Sequence, residues 1–532
     1  MATQLPETIG FTWILGDSGD RTTRLLAAFI LIAGTGLITR LAKSYLRNLP
    51  PGPRGLPLIG DVIHIANPEW LASPERKDEY GDMMYINALG TGMLIINSQR
   101  VAVDLLEKRS LIYSSRPHYI SVGDFMTNNL AFGILPYGDL LRQFRRVTAE
   151  IYSKSTVHHF HPIQSREALI LALALIKSPS KPERHFHRHS WSIMLSVNYD
   201  LPPIKEDDPC IVEIENHLDR FLLEIQPGTR LVEYFPWLKY VPNGLAKWKR
   251  DAQNWFVQDS LMFQRFLGKV NDDLANGIDR PSFAATVIKN RSKHGLSEVE
   301  QAWLIGHVLT AGGETTATAL EWWLLAMLVY PNVQARAHAE LDEVVGRDRP
   351  PTFADIPFLP YIRAMLKEAL RWSPILPFGA PHTLTEDDWY EGMLIPKGTM
   401  CLQNVRVLNF DPKVYGENVA EFDPTRYLDE QGQLKTVEGG REVQDGHGHV
   451  TFGFGRRICP GRHEAEGTLV MDFATLLWAM RFERPEGSQG ELDVHTLVQP
   501  GLAAHPVPFE CKMVPRFPEA EALLSEGLSM YE

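Results

Sequence analysis

The sequence predicts a mainly α-helical protein with a minor β portion, preceded by a single N-terminal transmembrane helix. Three observations lead there. Residues 137–153, 162–177, 299–329, 331–345, 360–372 and 460–480 carry apolar side chains at three-to-four spacing, the period of one helix face. Strand-like segments are short and lie mainly at 83–97 and 380–403, where turn residues interleave with Ile, Leu, Val and Thr. From Leu25 to Thr39 the chain is uncharged and mostly apolar.

Taken in order, residues 1–24 are a short N-terminal segment and 25–42 a membrane anchor. Leu41 and Ala42 extend the apolar run past Arg40 towards the roughly 20 residues that a span needs. Arg40, Lys43 and Arg47 flank it, which puts the bulk of the chain on the cytoplasmic side. A cleaved signal peptide is the rival, although no small-x-small site follows; a buried helix of the globular body is the third option. Residues 43–60 form a basic and proline-rich hinge, because Pro50, Pro51, Pro53 and Pro57 cannot continue a helix and stiffen an extended arm. No low-complexity linker or repeat follows, so 61–532 reads as one large domain, with 436–448 a polar loop within it.

The 532 residues are 44 % apolar and 22 % charged, a globular balance with room for an extensive core. Acidic residues outnumber basic ones by 65 to 53, a net charge of −12 that argues against nucleic acid as a partner. Four cysteines (Cys210, Cys401, Cys459 and Cys511), without a CxxC pair, are too few for a disulfide scaffold and do not suggest zinc.

One cysteine stands in a distinctive loop, Phe452-Gly453-Phe454-Gly455-Arg456-Arg457-Ile458-Cys459-Pro460-Gly461. Gly455 and Gly461 bracket it and allow a tight turn and a close approach to the backbone. Pro460 suits the first turn of the helix that follows, which sets Cys459 at a helix N-terminus. There the helix dipole, with Arg456 and Arg457, favours thiolate. A buried structural cysteine is the bland alternative.

Phe452, Gly455, Arg457, Cys459 and Gly461 match Phe-x-x-Gly-x-Arg-x-Cys-x-Gly, and the chain here resembles the cytochrome P450 superfamily. The resemblance implies the cytochrome P450 fold, with haem b as cofactor and the Cys459 thiolate as axial ligand of its iron, pushing electron density towards O–O cleavage. It implies a haem propionate as the partner of Arg457.

Further motifs extend the resemblance over about residues 50–520. Ala311-Gly312-Gly313-Glu314-Thr315-Thr316 lies in the 299–329 helix, where two glycines cost about 1 kcal/mol each against alanine and call for close packing or a kink. It resembles the oxygen-binding groove, with Thr315 hydrogen-bonding dioxygen and Glu314 relaying protons through water. His307, Ala311 and Thr315 share one face by their spacing, so His307 is either a substrate contact or a satisfied core histidine. Glu368-x-x-Arg371, followed by Arg426 in Phe422-Asp423-Pro424-Thr425-Arg426-Tyr427, resembles the family's buried ion network. Arg145 and His382 align with propionate contacts, but Leu141 stands where many relatives have tryptophan.

The resemblance implies a haem-thiolate monooxygenase of the eukaryotic microsomal, fungal type, inserting one oxygen atom from O2 into a lipophilic small molecule. Electrons would come from NADPH through a flavin-containing cytochrome P450 reductase, with cytochrome b5 as a further partner. Substrate-pocket candidates are Phe125, Met126, Leu130, Phe132, His307, Ala311, Leu376, Phe378 and 498–502, chiefly apolar. Arg142, Arg146, Arg456 and Arg462 are candidates for a basic docking patch. The expected location is the endoplasmic reticulum membrane with the catalytic domain in the cytosol, which would leave the Asn290 sequon unused. A reductase-independent isomerase or lyase, and a non-catalytic haem or scaffold protein, are the rival functions.

Overall fold

In the computed structural model the described residues are 48–531, apart from 54, 57–59, 66, 227, 374, 436–447, 489–491 and 499–502. The N-terminal segment, the anchor at 25–42, the first part of the hinge and nearly all of the polar loop therefore lie outside them. Among the described residues no helix is long and apolar enough to cross a membrane.

Helices dominate: α1 (Asp139–Tyr152), α2 (His161–Lys177), α3 (Pro182–Tyr199), α4 (Pro209–Ile225), α5 (Lys247–Ala275), α6 (Glu298–Val329), α7 (Pro331–Val344), α8 (Pro360–Trp372) and α9 (Arg462–Ala479). The six segments with helical periodicity are α1, α2, α6, α7, α8 and α9, each within two residues of its expected ends. α3, α4 and α5 were not legible in the periodicity.

The axis of the main body is α6. Ser297 opens it with a capping box: its hydroxyl accepts from Glu300 N at 3.3 Å, and Glu300 Oε2 accepts from Ser297 N at 2.8 Å. Beyond the first turn it is apolar on nearly every face, as a helix surrounded by others must be. α3 and α5 pack against it, and α9 packs against both α6 and α2. Trp322, Trp323, Trp372, Phe473 and Trp478 fill one core cluster; Trp191, Phe263, Phe283 and Trp303 belong to a second.

The strands between 83 and 96 and between 382 and 403 fall in the two expected regions, while four short strands between 480 and 515 lie beyond them. β1 (Met83–Ala88) and β2 (Thr91–Ile96) form a hairpin; β3 (His382–Thr383) and β6 (Met400–Gln403) complete a sheet of order β1-β2-β6-β3, with β2 and β6 parallel and the other pairs antiparallel. Its inner face holds Met84, Ile86, Met93 and Ile95. Near the C-terminus β8 (Leu497–Val498) pairs with β9 (His505–Pro506), and β7 (Met480–Glu483) with β10 (Lys512–Pro515). A separate small unit contains the hairpin of β4 (Asp388–Tyr390) and β5 (Met393–Ile395), in which Asn48 Nδ2 donates to Gly392 O at 2.7 Å.

Candidate active site

The cysteine loop is a tight turn held by its own backbone. Cys459 N donates to Phe452 O at 2.8 Å, and Gly453 and Gly455 take positive φ of 76° and 54°. A Cβ on Gly455 would lie 2.2 Å from the Leu106 carbonyl oxygen, so this glycine is required both by its backbone and by the π-helical turn Val103–Lys108 packed on it. Gly461, at φ −86°, is not strained; it caps α9. The helix starts at Arg462, so Pro460 lies in the turn before it rather than in its first turn.

Around the half-buried sulfur, loss of solvent pushes the Cys459 thiol pKa up, opposed by the Gly461 N–H and by Arg462 and Arg145. The cations that bear on the sulfur are therefore not the expected Arg456 and Arg457. Arg462 donates to the Cys459 carbonyl at 3.1 Å and Arg145 to the Ile458 carbonyl at 3.0 Å. Arg456 points outward, with its Nη1 3.0 Å from Tyr137 Oη. Its guanidinium and that of Arg142 lie 5.7 and 5.6 Å from the Tyr137 ring centre, so these two share a surface with exposed Arg146 nearby on α1. Arg462 turns inward and leaves the proposed patch.

Arg457 is buried. Its Nε donates to Ser114 O at 2.7 Å and its Nη2 to Leu135 O. Burial, then Arg116 and Arg145, lower its pKa to about 8. Arg116, a residue the sequence reading missed, donates to the carbonyls of Gly133, Ala380 and Pro381, and burial together with Arg145 lowers its pKa to about 10. Burial likewise lowers that of Arg145. His382 on β3 is bonded through Nδ1 to Tyr113 O at 2.8 Å and is held neutral by burial and by Arg116 and Arg457. Among the described residues no carboxylate pairs with these three guanidinium groups. Two buried guanidinium groups, Arg116 and Arg457, and the half-buried Arg145, all bonded only to carbonyls beside a thiol, suit a dianionic ligand with an iron centre: the donor set fits haem and its two propionates.

α6 reaches the same region, because the Phe132–Ile134 turn, whose Gly133 carbonyl accepts from Arg116, packs on it. Ala311 is exposed in the middle of α6, between buried stretches of the helix, and Thr315, one turn on and half-buried, donates its hydroxyl to Ala311 O at 2.9 Å. The two glycines are explained by packing. A Cβ on Gly313 would lie 2.1 Å from the Trp191 ring, and one on Gly312 2.5 Å from Met194 Sδ, both on α3. Glu314 points to His505, 3.8 Å away.

Glu368, Arg371 and Arg426 are brought together. Arg371 forks onto Glu368 at 2.7 and 2.8 Å, Arg426 Nε lies 3.5 Å from Glu368 Oε1, and Asp423 N donates to the same oxygen at 2.8 Å. The remaining Arg371 protons go to the carbonyls of Asn409, Val419 and Glu421. Leu141 is buried among Leu130, Phe132 and Phe144, with no polar group in the tryptophan's place.

The pocket candidates do not form one set. Phe125 packs edge-on against Trp248, 5.5 Å away, under Lys249, and Phe378 joins the sheet cluster of Met84 and Ile95. Phe132 packs edge-on to Phe144. Leu376 is half-buried, its carbonyl taken by Gly379 N. His307 lies among the rings of His217, Phe221, Phe263 and Trp303; burial, then His217, lowers its pKa to about 3. Its Nε2 has no hydrogen-bond partner, so it is not the satisfied core histidine of the bland reading. Residues 499–502 lie outside the described residues.

Comparison with known proteins agrees with this arrangement. A family model, Cytochrome P450, matches residues 50–513. A cytochrome P450 monooxygenase of Armillaria gallica is 45 % identical over 505 residues, 94 % of this chain and 96 % of that protein. Cytochrome P450 monooxygenase 58 of Postia placenta is 39 % identical, covering 96 % and 97 % of the two chains, and a cytochrome P450 monooxygenase of Amanita muscaria is 36 % identical, covering 94 % and 97 %.

Proposed function

The chain belongs to the cytochrome P450 family and is a cytochrome P450 monooxygenase of fungal type, and from that premise we propose that it inserts one oxygen atom from O2 into a lipophilic small molecule in secondary metabolism, such as a terpenoid or polyketide intermediate. The observation that carries the site assignment is the triad Arg116, Arg145 and Arg457, unmatched by carboxylates, beside the Cys459 loop. The family's cofactor, haem b, supplies the oxidising chemistry when bound.

The protein's own residues take the following parts. Cys459 would hold the haem iron through its sulfur, and the Gly461 N–H, Arg462 and Arg145 favour its thiolate against the burial that opposes it. Arg116, Arg145 and Arg457, with His382 beside them, would hold the propionates. Phe452, Gly455 and Gly461 shape the turn, and Gly455 keeps it pressed on the Leu106 carbonyl. Thr315 holds a hydroxyl one turn beyond exposed Ala311 of α6, and Glu314 beside it handles protons. Glu368, Arg371 and Arg426 lock the segment that leads into the cysteine loop. Phe125, Phe132, His307, Ala311, Leu376 and Phe378 remain the proposed substrate surroundings, with Ala311 and His307 the best supported of them because one is exposed and the other keeps a free ring nitrogen.

Residues 25–42 anchor the enzyme in the endoplasmic reticulum membrane as a single pass, with 61–532 as one cytosolic catalytic domain. The apolar run with its basic flank supports this. So do Leu231, Phe235, Trp237, Tyr240 and Leu245, a cluster of exposed apolar residues suited to an interface with lipid. NADPH–cytochrome P450 reductase, with cytochrome b5 as an accessory, delivers electrons to the face that carries Arg142, Arg146 and Arg456. The test is turnover of a terpenoid and polyketide panel with reductase, NADPH and isotopically heavy dioxygen. One heavy oxygen atom per product supports the proposal; product formed without NADPH and without label would favour the isomerase reading instead.

A further inference from the structure

The Glu314 carboxylate of α6 lies beside His505 of β9. His505, on β9, sits between two carboxylates of that helix: its Nδ1 is 2.8 Å from Glu321 Oε2 and its Nε2 is 3.8 Å from Glu314 Oε1. Glu314 and Glu321 are seven residues apart, two turns, and so present their carboxylates on one face. Thr318, between them, puts its hydroxyl 3.5 Å from His505 Nε2. The other Glu321 oxygen is 3.7 Å from Nε2 of His187 on α3, whose ring lies nearly parallel to that of His505 at 6.4 Å. Side-chain exposure falls from 33 % at His187 to 12–16 % at Glu321, His505 and Glu314. Three elements distant in sequence thus build a ladder of acid and imidazole from solvent to Glu314.

We propose that His505 is a positioning residue for Glu314, clamping its carboxylate to Glu321 and the solvent-facing His187. The clamp holds the Glu314 carboxylate on the same side of α6 as Glu321, beside the His505 ring. This inference rests on the reading of Glu314 as the proton-handling acid. The charge of His505 follows from its surroundings. Burial alone would discharge the imidazole, but hydrogen bonds and charge from Glu314 and Glu321 outweigh it and raise the pKa to about 9. The raised pKa favours the cation, which donates from Nδ1 to Glu321 and faces Glu314 from Nε2 at 3.8 Å, an ion-pair rather than a hydrogen-bond distance. Glu314 and Glu321 on α6 and His187 on α3 are the titratable groups that face it.

Two readouts separate this role from simple packing. The first is stability of the haem-loaded protein against pH. His505 is held above its ordinary 6.5, so its contribution is full below pH 6.5 and is lost as pH rises through about 9. His505→Gln should abolish that alkaline loss, and Glu321→Gln should shift it to lower pH. The second is hydrogen peroxide released per NADPH consumed in the reductase-reconstituted enzyme without organic substrate. Glu314→Gln should change this ratio by about tenfold, and His505→Gln should change it likewise and erase its wild-type dependence between pH 7 and 9.5. His505→Lys, which keeps the cation, should restore much of the wild-type ratio at pH 7. If Glu314→Gln alters the ratio while His505→Gln leaves both readouts as in wild type, the clamp is wrong and the reading of Glu314 stands. If Glu314→Gln has no effect in a protein with intact thiolate-ligated haem, the reading of Glu314 falls and the inference with it.

Discussion

Gly313→Ala tests how α6 is built. In an open helix this change stabilises by up to about 1 kcal/mol, because alanine has the lower cost of helical order. At Gly313 the new Cβ would stand 2.1 Å from two carbons of the Trp191 ring, well inside the roughly 3.5–4.0 Å of an ordinary carbon–carbon contact. Trp191 is 1 % exposed, and its Nε1 points to Glu215 Oε1 at 3.3 Å, so the ring has little room to yield. Overpacking of this kind costs about 1–3 kcal/mol and sometimes more, which leaves a net loss of about 2 kcal/mol. Gly312→Ala meets Met194 Sδ at 2.5 Å, the flexible part of a side chain, and should come out near neutral. Gly268→Ala, inside α5 with nothing within 4 Å of its Cβ, should gain about 0.5–1 kcal/mol. Urea unfolding of the three haem-loaded variants, followed by tryptophan fluorescence at unchanged slope, reads the order directly. A Gly313→Ala protein as stable as Gly268→Ala would refute the packing explanation of the glycine pair.

Two further predictions concern charge. Arg371→Ala strips Glu368 of its forked partner in a site with no solvent and should cost about 3–5 kcal/mol, read as a lower urea midpoint; a loss under about 1 kcal/mol would mean that the network is not the lock described. Arg116→Gln removes one of three guanidinium groups offered to the propionates, and haem transfer to apomyoglobin should become about tenfold faster or more, the worth of a hydrogen bond to a charged group. An unchanged transfer rate would remove Arg116 from the cofactor site.

The parts of the molecule written in local pattern were legible: six helices, the two strand regions, and the cysteine loop, whose spacing needs no partner to be read. The rest depends on distant partners. α3 carries Arg188, His189, Ser192 and Asn198 on buried positions, which breaks any apolar period; it is a helix because Glu167 and Asp472 on neighbouring helices satisfy Arg188, Ser192 and His189. Arg116 has no motif around it, since its role is set by carbonyls 264 and 265 residues away. His505 is in the same position relative to Glu321, 184 residues distant. The Gly-Gly pair could be read from sequence as close packing or as a kink, and only Trp191 and Met194 decide for packing. Assigning thiolate support to Arg456 and Arg457 followed from adjacency in sequence, whereas the turn at Gly453 and Gly455 sends those side chains outward and towards Ser114, and brings Arg145 and Arg462 to the sulfur.

The central claim is that Cys459 ligates haem iron as a thiolate. The absorption spectrum of the dithionite-reduced protein, with and without carbon monoxide, tests it in one step. The account predicts a strongly red-shifted Soret band that is absent in Cys459→Ala. A folded wild-type protein that binds no haem, or whose carbon monoxide complex has the band of a histidine-ligated haem, would contradict it.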